Sequence, residues 1–546
     1  MTFSVPSRLR LLGLALLLPL LGTAQNAVST APQPAVPPQQ WYLLDPAADG
    51  VMGVSVRKTY DELLKNRPSA PVVVAIIDAG IDTAHADLRR LLWTNPREIA
   101  GNGLDDDQNG YVDDVHGWNF LGGADGRNVD VETYEDTRLV ARLRPLYEGK
   151  ARTAVPAAKR AEYDLYQKVK KTQADKIAEN KERVTSLDQA YTVNKKGADN
   201  LREALGLARL DTASLRAATP TDPNLYRAAL SLYANLRAAG YADLESVLAD
   251  MKEGLDDSRS QLEFGLNPAF NPRATIIGDD PTNTQDRRYG NRDNHGPDPM
   301  HGTHVAGIIG ADRTNLLGIL GIADNVRLMA VRAVPNGDER DKDIANAIRY
   351  AVDNGASIIN MSFGKYYSPQ REAVDAAMRY AATKGVLLVH SAGNENDDID
   401  VNVEFPSPVY LDGKAVPNMI TVGASARTND QNLVADFSNY GRKNVDVFAP
   451  GNQIYSTLPG QQYGNKSGTS MASPVVSGIA AVLKSYFPTL TATDLKRIIL
   501  QSAVVYHTKV LKPGTRKTVD FAELSSTGGL VNLYRAVQLA DAETAK

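Results

Sequence analysis

The chain reads as an α/β protein, a mostly parallel sheet covered by helices on both faces and interrupted by a large helical insertion. Three observations predict this. Short apolar runs rich in β-branched residues recur at 72–77, 326–334, 357–361, 386–391 and 419–424, as expected of strands buried on both faces. Helical apolar spacing occupies 341–354, 368–384 and 470–485, and strands alternating with helices imply a parallel sheet. From about 125 to 285 that alternation stops. There 157–185 and 226–251 are rich in Ala, Leu, Lys, Glu and Arg, and glycines and β-branched runs thin out, which is the composition of a helical block.

From the N-terminus, Arg8 and Arg10 precede an apolar run at 11–21 and then Gly22-Thr23-Ala24. These are the zones of a secretory signal, 1–24, cut after Ala24. The run is too short to span a bilayer comfortably, so the expectation is export to the periplasm or beyond, with no stable membrane anchor. The chain has no cysteine. Rigidity must then come from packing and from any bound metal, not from disulfides. Residues 25–40 (QNAVSTAPQPAVPPQQ) form a Pro/Gln-rich linker. The remaining division is 41–124, an extension with a helix at 56–66 leading into the first strand; 125–285, the insertion; 286–540, the resumed α/β domain ending in a helix at 530–540; and a tail, 541–546. With 546 residues, 43% apolar, 23% charged and a net charge of −4, the composition is globular. It offers no basic surface for nucleic acid, and a monomer is expected.

Three motifs carry chemistry. Asp78 closes the first apolar run, so its carboxylate emerges at the carboxyl edge of the sheet, where α/β folds gather reactive groups. An aspartate there also makes an ordinary cap or turn. His301-Gly302-Thr303-His304-Val305-Ala306-Gly307 opens a helix with glycines that permit close packing. Its two histidines lack the intervening glutamate of a zinc-protease pair, so zinc is set aside and His304 reads as structural. Gly468-Thr469-Ser470-Met471-Ala472-Ser473-Pro474 places a serine at the start of an apolar helix among small neighbours. Such a serine is commonly only a cap, yet the helix start also favours developing negative charge. Position 472 is alanine, which departs from the Gly-x-Ser-x-Gly elbow, and the order Asp–His–Ser departs from that of the α/β-hydrolases.

Together the motifs resemble the subtilisin-like serine proteases, the subtilase family (peptidase S8). The likeness covers roughly 70–124 and 286–540. It implies that family's three-layer sandwich, polypeptide substrates, and a triad of Asp78, His301 and Ser470. It further implies that Asn394, in Ser391-Ala392-Gly393-Asn394-Glu395, donates to the oxyanion. The segment Asn360-Met361-Ser362-Phe363-Gly364 is similar to the family's substrate strand, which makes Ser362, Phe363, Gly364 and Gly393 substrate-binding candidates. The family usually has a second small residue after Gly364; here stands Lys365, which bears on the rim of the pocket. No cofactor is required for this chemistry. Relatives often carry an inhibitory propeptide. The stretch 25–70 is short for one, and 41–67 is expected to pack on the core instead.

One loop suggests a structural calcium. Asp105, Asp107, Asn109, Gly110 and Asp113 fall at positions 1, 3, 5, 6 and 9 of a calcium loop, with His116 where a bidentate glutamate is expected. Asp114 or a distant carboxylate could complete the shell, and a merely solvated acidic turn is the other reading. The insertion could gate the cleft of a narrow-specificity processing protease, bind a partner, or decorate the surface. A catalytically silent peptide-binding relative would show a damaged triad motif, and none is damaged.

Overall fold

The computed structural model describes residues 39–239, 241–315 and 317–544. The signal segment, 1–24, and the linker up to residue 38 lie outside the described residues. The chain divides into two compact units, one of 39–142 with 268–544 and one of Leu143–Asn267.

In chain order the large sheet is built from β1 (Val72–Asp78), β2 (Gly117–Asn119), β3 (Val326–Arg332), β4 (Ile358–Met361), β5 (Leu387–Ser391), β6 (Met419–Ser425) and β7 (Val447–Pro450). A hairpin follows, β8 (Ile454–Leu458) with β9 (Gln462–Lys466), and two short strands, β10 (Val504–Val505) and β11 (Gly529–Leu530), complete the set used here. The helices are α1 (Glu135–Tyr147), α2 (Arg160–Leu205), α3 (Pro223–Ala239), α4 (Leu244–Ser260), α5 (Met300–Gly310), α6 (Asp341–Asp353), α7 (Arg371–Thr383), α8 (Thr469–Tyr486), α9 (Ala492–Gln501) and α10 (Leu533–Thr544).

The sheet runs β10-β11-β7-β6-β5-β4-β1-β3-β2, parallel except for the β10–β11 pair. β1 shows why its sequence is apolar without alternation. Val72, Val74 and Ile76 pack into one core with α5 and α8, while Ala75 and Ile77 pack into the other with α6 and α7. Both faces of the strand are covered, so every position must be apolar. α8 is buried nearly all round, which explains its continuous apolar run. Because the strands are parallel, Asp78, Met361 and Ser391 all end at one edge. The register Ile77↔Met361 sets Asp78 beside Ser362.

The observed elements differ from the expected ones in places. The final helix starts at Leu533, because Asn532 caps it by accepting from Arg535 N at 3.0 Å, and Leu530 pairs with Phe448 as strand. The strands β2 and β7 to β11 were not expected from the sequence. Trp41, Tyr42 and Leu43 are buried in the main core, with Trp41 Nε1 donating to Gln453 O at 3.2 Å. The second unit is helical. α2 packs along α4, and Leu215, Leu232, Leu236 and Val247 form its core. It spans Leu143–Asn267, inside the 125–285 expected for the insertion, and 125–142 and 268–285 belong to the sheet unit. Among the described residues no helix is long and apolar enough to cross a membrane.

Ile76 is fully buried in the middle of β1. Ile76→Ala is expected to lower the stability of the sheet unit by about 2–5 kcal/mol, measured by urea unfolding of the full chain followed through tryptophan fluorescence.

Candidate active site

Asp78 is buried at the end of β1. Its Oδ1 accepts from Ala79 N at 2.8 Å and from His301 Nδ1 at 2.7 Å. A carboxylate can only accept, so the imidazole donates to it through Nδ1–H. Oδ2 is buried and has no hydrogen-bond partner among the described residues. The approach depends on glycine: a β-carbon on Gly302 would fall 2.2 Å from Gly80 O and 3.1 Å from Asp78 Oδ1. Thr303 Oγ1 accepts from Asp82 N at 2.8 Å and fixes the loop after Asp78. Arg332, at the end of β3, donates from Nε to Ala79 O at 2.8 Å and from Nη1 to Asn119 Oδ1 at 3.0 Å. Burial pulls its pKa down to about 10, so it remains cationic at neutral pH.

Ser470 is the second residue of α8, and its amide is among the four at a helix start that have no intrahelical acceptor. Its Oγ donates to Ser362 O at 3.2 Å, while Ser362 Oγ donates back to Ser470 O at 3.0 Å. Reaching His301 requires that hydroxyl to turn away from Ser362 O. Asn360 Nδ2 donates to Ser362 Oγ at 2.9 Å, and Ser477 Oγ donates to Asn360 Oδ1 at 2.9 Å. This buried polar ladder ties α8 to β4. Asn394 is oriented by Thr469, whose N and Oγ1 donate to its Oδ1 at 2.8 and 3.0 Å. Its Nδ2 is thereby directed elsewhere and donates to no described residue. A β-carbon on Gly468 would lie 3.7 Å from that Nδ2 and 3.6 Å from Ser470 N, so the two donors border the same small space.

The substrate-strand candidates are distributed unevenly. Ser362 supports Ser470, and Phe363 is buried with its carbonyl accepting from His390 Nε2 at 2.8 Å. Gly364 and Gly393 both pack on Glu404. A β-carbon at Gly393, where φ is +97°, would fall 2.2 Å from Glu404 Oε2. Lys365 is turned away from them, its Nζ held by Glu135 Oε2 and Asp341 Oδ1 at 2.9 Å and by Glu339 O at 2.8 Å. Sequence reasoning passed over Arg332, Thr303, Thr469 and Glu404. Arg332 alone left a signal, as a charge inside an apolar strand.

The acidic loop gathers differently from the spacing. Asp105 and Asp107 present oxygens within 4.8 Å of each other and of Glu98. Glu98 Oε2 is buried with no hydrogen-bond partner, and burial, with Asp107 and Asp106 nearby, raises its pKa. Asp113 does not join them. It accepts from Gly101 N and Gly103 N and pairs with Arg292 Nη1 at 2.5 Å. Asn109 turns its amide to Asp114 Oδ2 at 3.1 Å and to Tyr111 N at 2.8 Å. Asp114 is occupied by Tyr350 and Asn95.

Comparison with known proteins places the chain in a family. A family model described as the subtilase family, peptidase S8, matches residues 69–529. The thermophilic serine proteinase of Bacillus sp. (strain AK1) is 44% identical over 193 residues, 34% of this chain and 44% of that protein. Subtilisin NAT of Bacillus subtilis subsp. natto is 33% identical over 273 residues, 50% of this chain and 63% of its own. The subtilisin of Bacillus pumilus is also 33% identical over 273 residues, 50% of this chain and 88% of its own. The chain thus spans less than two thirds of the first two relatives.

His304 is buried one turn into α5, with Nε2 against Gly464 O at 3.1 Å, and burial pushes its pKa down to about 3. The folded state keeps it neutral, while the unfolded chain takes up its proton near the ordinary value of 6.5. Its contribution is therefore full above that value and is lost as pH falls toward the folded one. Between about pH 5.5 and 4.5 this histidine is expected to cost the fold about 1.4 kcal/mol per pH unit. Urea unfolding across that range should show a shallower decline in His304→Gln than in the parent.

Proposed function

The chain belongs to the subtilase family, and from that premise and the geometry of the site we propose that it is a serine endopeptidase. The observation that carries the reading is the buried 2.7 Å contact of Asp78 Oδ1 with His301 Nδ1, set one strand away from the serine at the start of α8. Asp78 holds the imidazole with Nε2 unprotonated and stabilises the imidazolium that forms. His301 Nε2 takes the proton of the Ser470 hydroxyl as Oγ attacks the scissile carbonyl. The negative charge that develops on the carbonyl oxygen meets Ser470 N–H and Asn394 Nδ2, donors that need not reorganise during the reaction. The imidazolium then protonates the leaving amine, and water attacks the acyl-enzyme by the same route. An extended polypeptide substrate is supported by the likeness of 360–364 to the family's substrate strand, along which a peptide backbone pairs. The signal pattern at 1–24 supports export.

The residues near Glu98 also suit a hard divalent cation. Glu98, Asp105 and Asp107 supply carboxylate oxygens, the donors calcium prefers; Glu98 Oε2 has no hydrogen-bond partner, while Asp107 also meets Arg97 Nη2 at 2.9 Å. Such an ion would brace the loop before β2 and take no part in the chemistry.

Four outcomes are expected. Ser470→Ala abolishes cleavage of casein and of peptide anilides. Asn394→Ala raises the barrier by about 2.7–4 kcal/mol, a magnitude measured for such a donor in a subtilisin. Asp78→Asn lowers kcat roughly 10⁴-fold, the value for another triad protease, by favouring the wrong tautomer. Added Ca²⁺ raises Tm and EDTA lowers it. Glu98→Gln removes that response while Asp113→Asn keeps it; a Tm indifferent to both reagents sinks the calcium reading.

A further inference from the structure

Lys365 and Phe405 form an antiparallel bridge, with Lys365 N donating to Phe405 O at 3.2 Å and Phe405 N donating to Lys365 O at 2.9 Å. This sets Glu404 against the end of the substrate strand. A β-carbon on Gly364 would fall 2.2 Å from Glu404 Oε1, and one on Gly393 2.2 Å from Oε2. The carboxylate therefore lies between two glycine backbones, one continuing from Ser362 and the other leading into Asn394. On the peptidase reading, the side chain of a substrate residue whose carbonyl oxygen is held by Ser470 N and Asn394 Nδ2 is directed toward those same two segments.

Glu404 is only 6% exposed, and its surroundings do not neutralise it. Oε2 accepts one hydrogen bond, from Asn439 Nδ2 at 3.1 Å, and no described residue donates to Oε1. No described lysine or arginine forms an ion pair with it. Lys365, next to Gly364 in sequence, spends its charge on Glu135 and Asp341. The groups that do face Glu404 are more acids. Glu395 Oε2 accepts from the same Asn439 amide at 2.9 Å and from Asn394 N at 2.8 Å. Tyr366 Oη stands 3.4 Å from both Glu395 Oε2 and Asp397 Oδ2. Burial first, then Glu395, holds the Glu404 carboxyl well above the usual carboxylate range. A buried acid among acids therefore keeps its proton, and gives it up only when a cation comes to it.

We propose that Glu404 is a specificity-determining residue of the primary side-chain pocket and selects substrates with arginine or lysine immediately before the cleaved bond. This rests on the peptidase reading above. An arriving guanidinium or ammonium supplies the charge-assisted hydrogen bonds that Oε1 lacks, whereas an apolar side chain seals the carboxylate off without replacing them.

The test uses the full chain and four peptide anilides that differ only in the residue before the bond: arginine, lysine, leucine or phenylalanine. The parent is expected to show higher kcat/KM for the two basic substrates. Glu404→Gln should lower those two values about thirtyfold or more, the loss that follows removal of one partner of a buried charged pair, and change the leucine value less than about threefold. An equal fall for all four would mark a merely structural residue and overturn the proposal. If the variant does not fold, the parent alone decides, since faster cleavage after leucine or phenylalanine overturns it. Fluorophosphonate labelling of Ser470 separates the two readings. A labelled protein that prefers apolar residues sinks the specificity alone, and an unlabelled one that cuts nothing sinks the peptidase reading and this inference with it.

Discussion

Asp78 carries a carboxylate that water does not reach, and the elements around it are arranged so that this can be tolerated. Taking a carboxylate out of water costs several kcal/mol unless its oxygens are satisfied. Here one oxygen receives both Ala79 N–H and His301 Nδ1–H, and the other receives nothing from the described residues. The imidazole is thus the principal means of relieving the buried charge. That makes it a restrained ring, fixed in tautomer and orientation before any substrate arrives. The requirement spreads outward. Gly302 must lack a side chain for α5 to come this close to Asp78 and Gly80, and Arg332 holds the backbone just beyond the aspartate by its carbonyl.

The serine is positioned by a separate device, hydrogen bonding instead of charge. β4 is buried throughout and apolar except at Asn360, and that residue begins the ladder through Ser362 to Ser470 and Ser477. Buried side-chain amides and hydroxyls are stable only when matched. The ladder therefore sets how far α8 can slide or rotate along the strand, and with it the place of Ser470 relative to Asp78. The strand register Ile77↔Met361 joins the two devices. Neither depends on residues of the helical unit, which is consistent with an insertion that leaves the sheet intact.

What was legible in the sequence follows from how local each signal is. β1 and α8 were readable because burial on all sides forces an uninterrupted apolar run. The three motifs were readable because close packing demands small residues at fixed offsets around one reactive group. The hairpin β8–β9 was not, since β8 is a five-residue run with polar residues at buried positions and β9 is largely exposed with the composition of a loop. The acidic loop shows the limit of spacing. Asp113 fits the calcium pattern, yet Arg292, 179 positions away, claims it, and Glu98 joins the cluster from outside the pattern. Glu404 gave no sequence signal at all. Its neighbours Val403 and Phe405 form no motif, and its position depends on a bridge to Lys365, a pairing between loops that periodicity does not encode.

The same sheet unit shows what a buried charge looks like when the fold has provided for it. Lys342, fully buried, meets Asp279 at 2.6 Å and Asp286 at 3.0 Å. Arg273 is gripped by Asp279 and Asp343 at 2.6 and 2.7 Å, and Glu132 meets Arg340 at 2.8 Å. In each of these the opposite charge is a side chain of the protein, and the pair is complete before anything binds. Glu404 is also buried, is brought near Lys365 by the bridge between Lys365 and Phe405, and is still left with an amide and other acids. The lysine that could have neutralised it is instead locked into a cluster of its own. Beside Gly364 and Gly393 no side chain of the protein supplies a cation to Glu404, and on the specificity proposal that charge comes from outside. That is the difference between a structural ion pair and half of a recognition site.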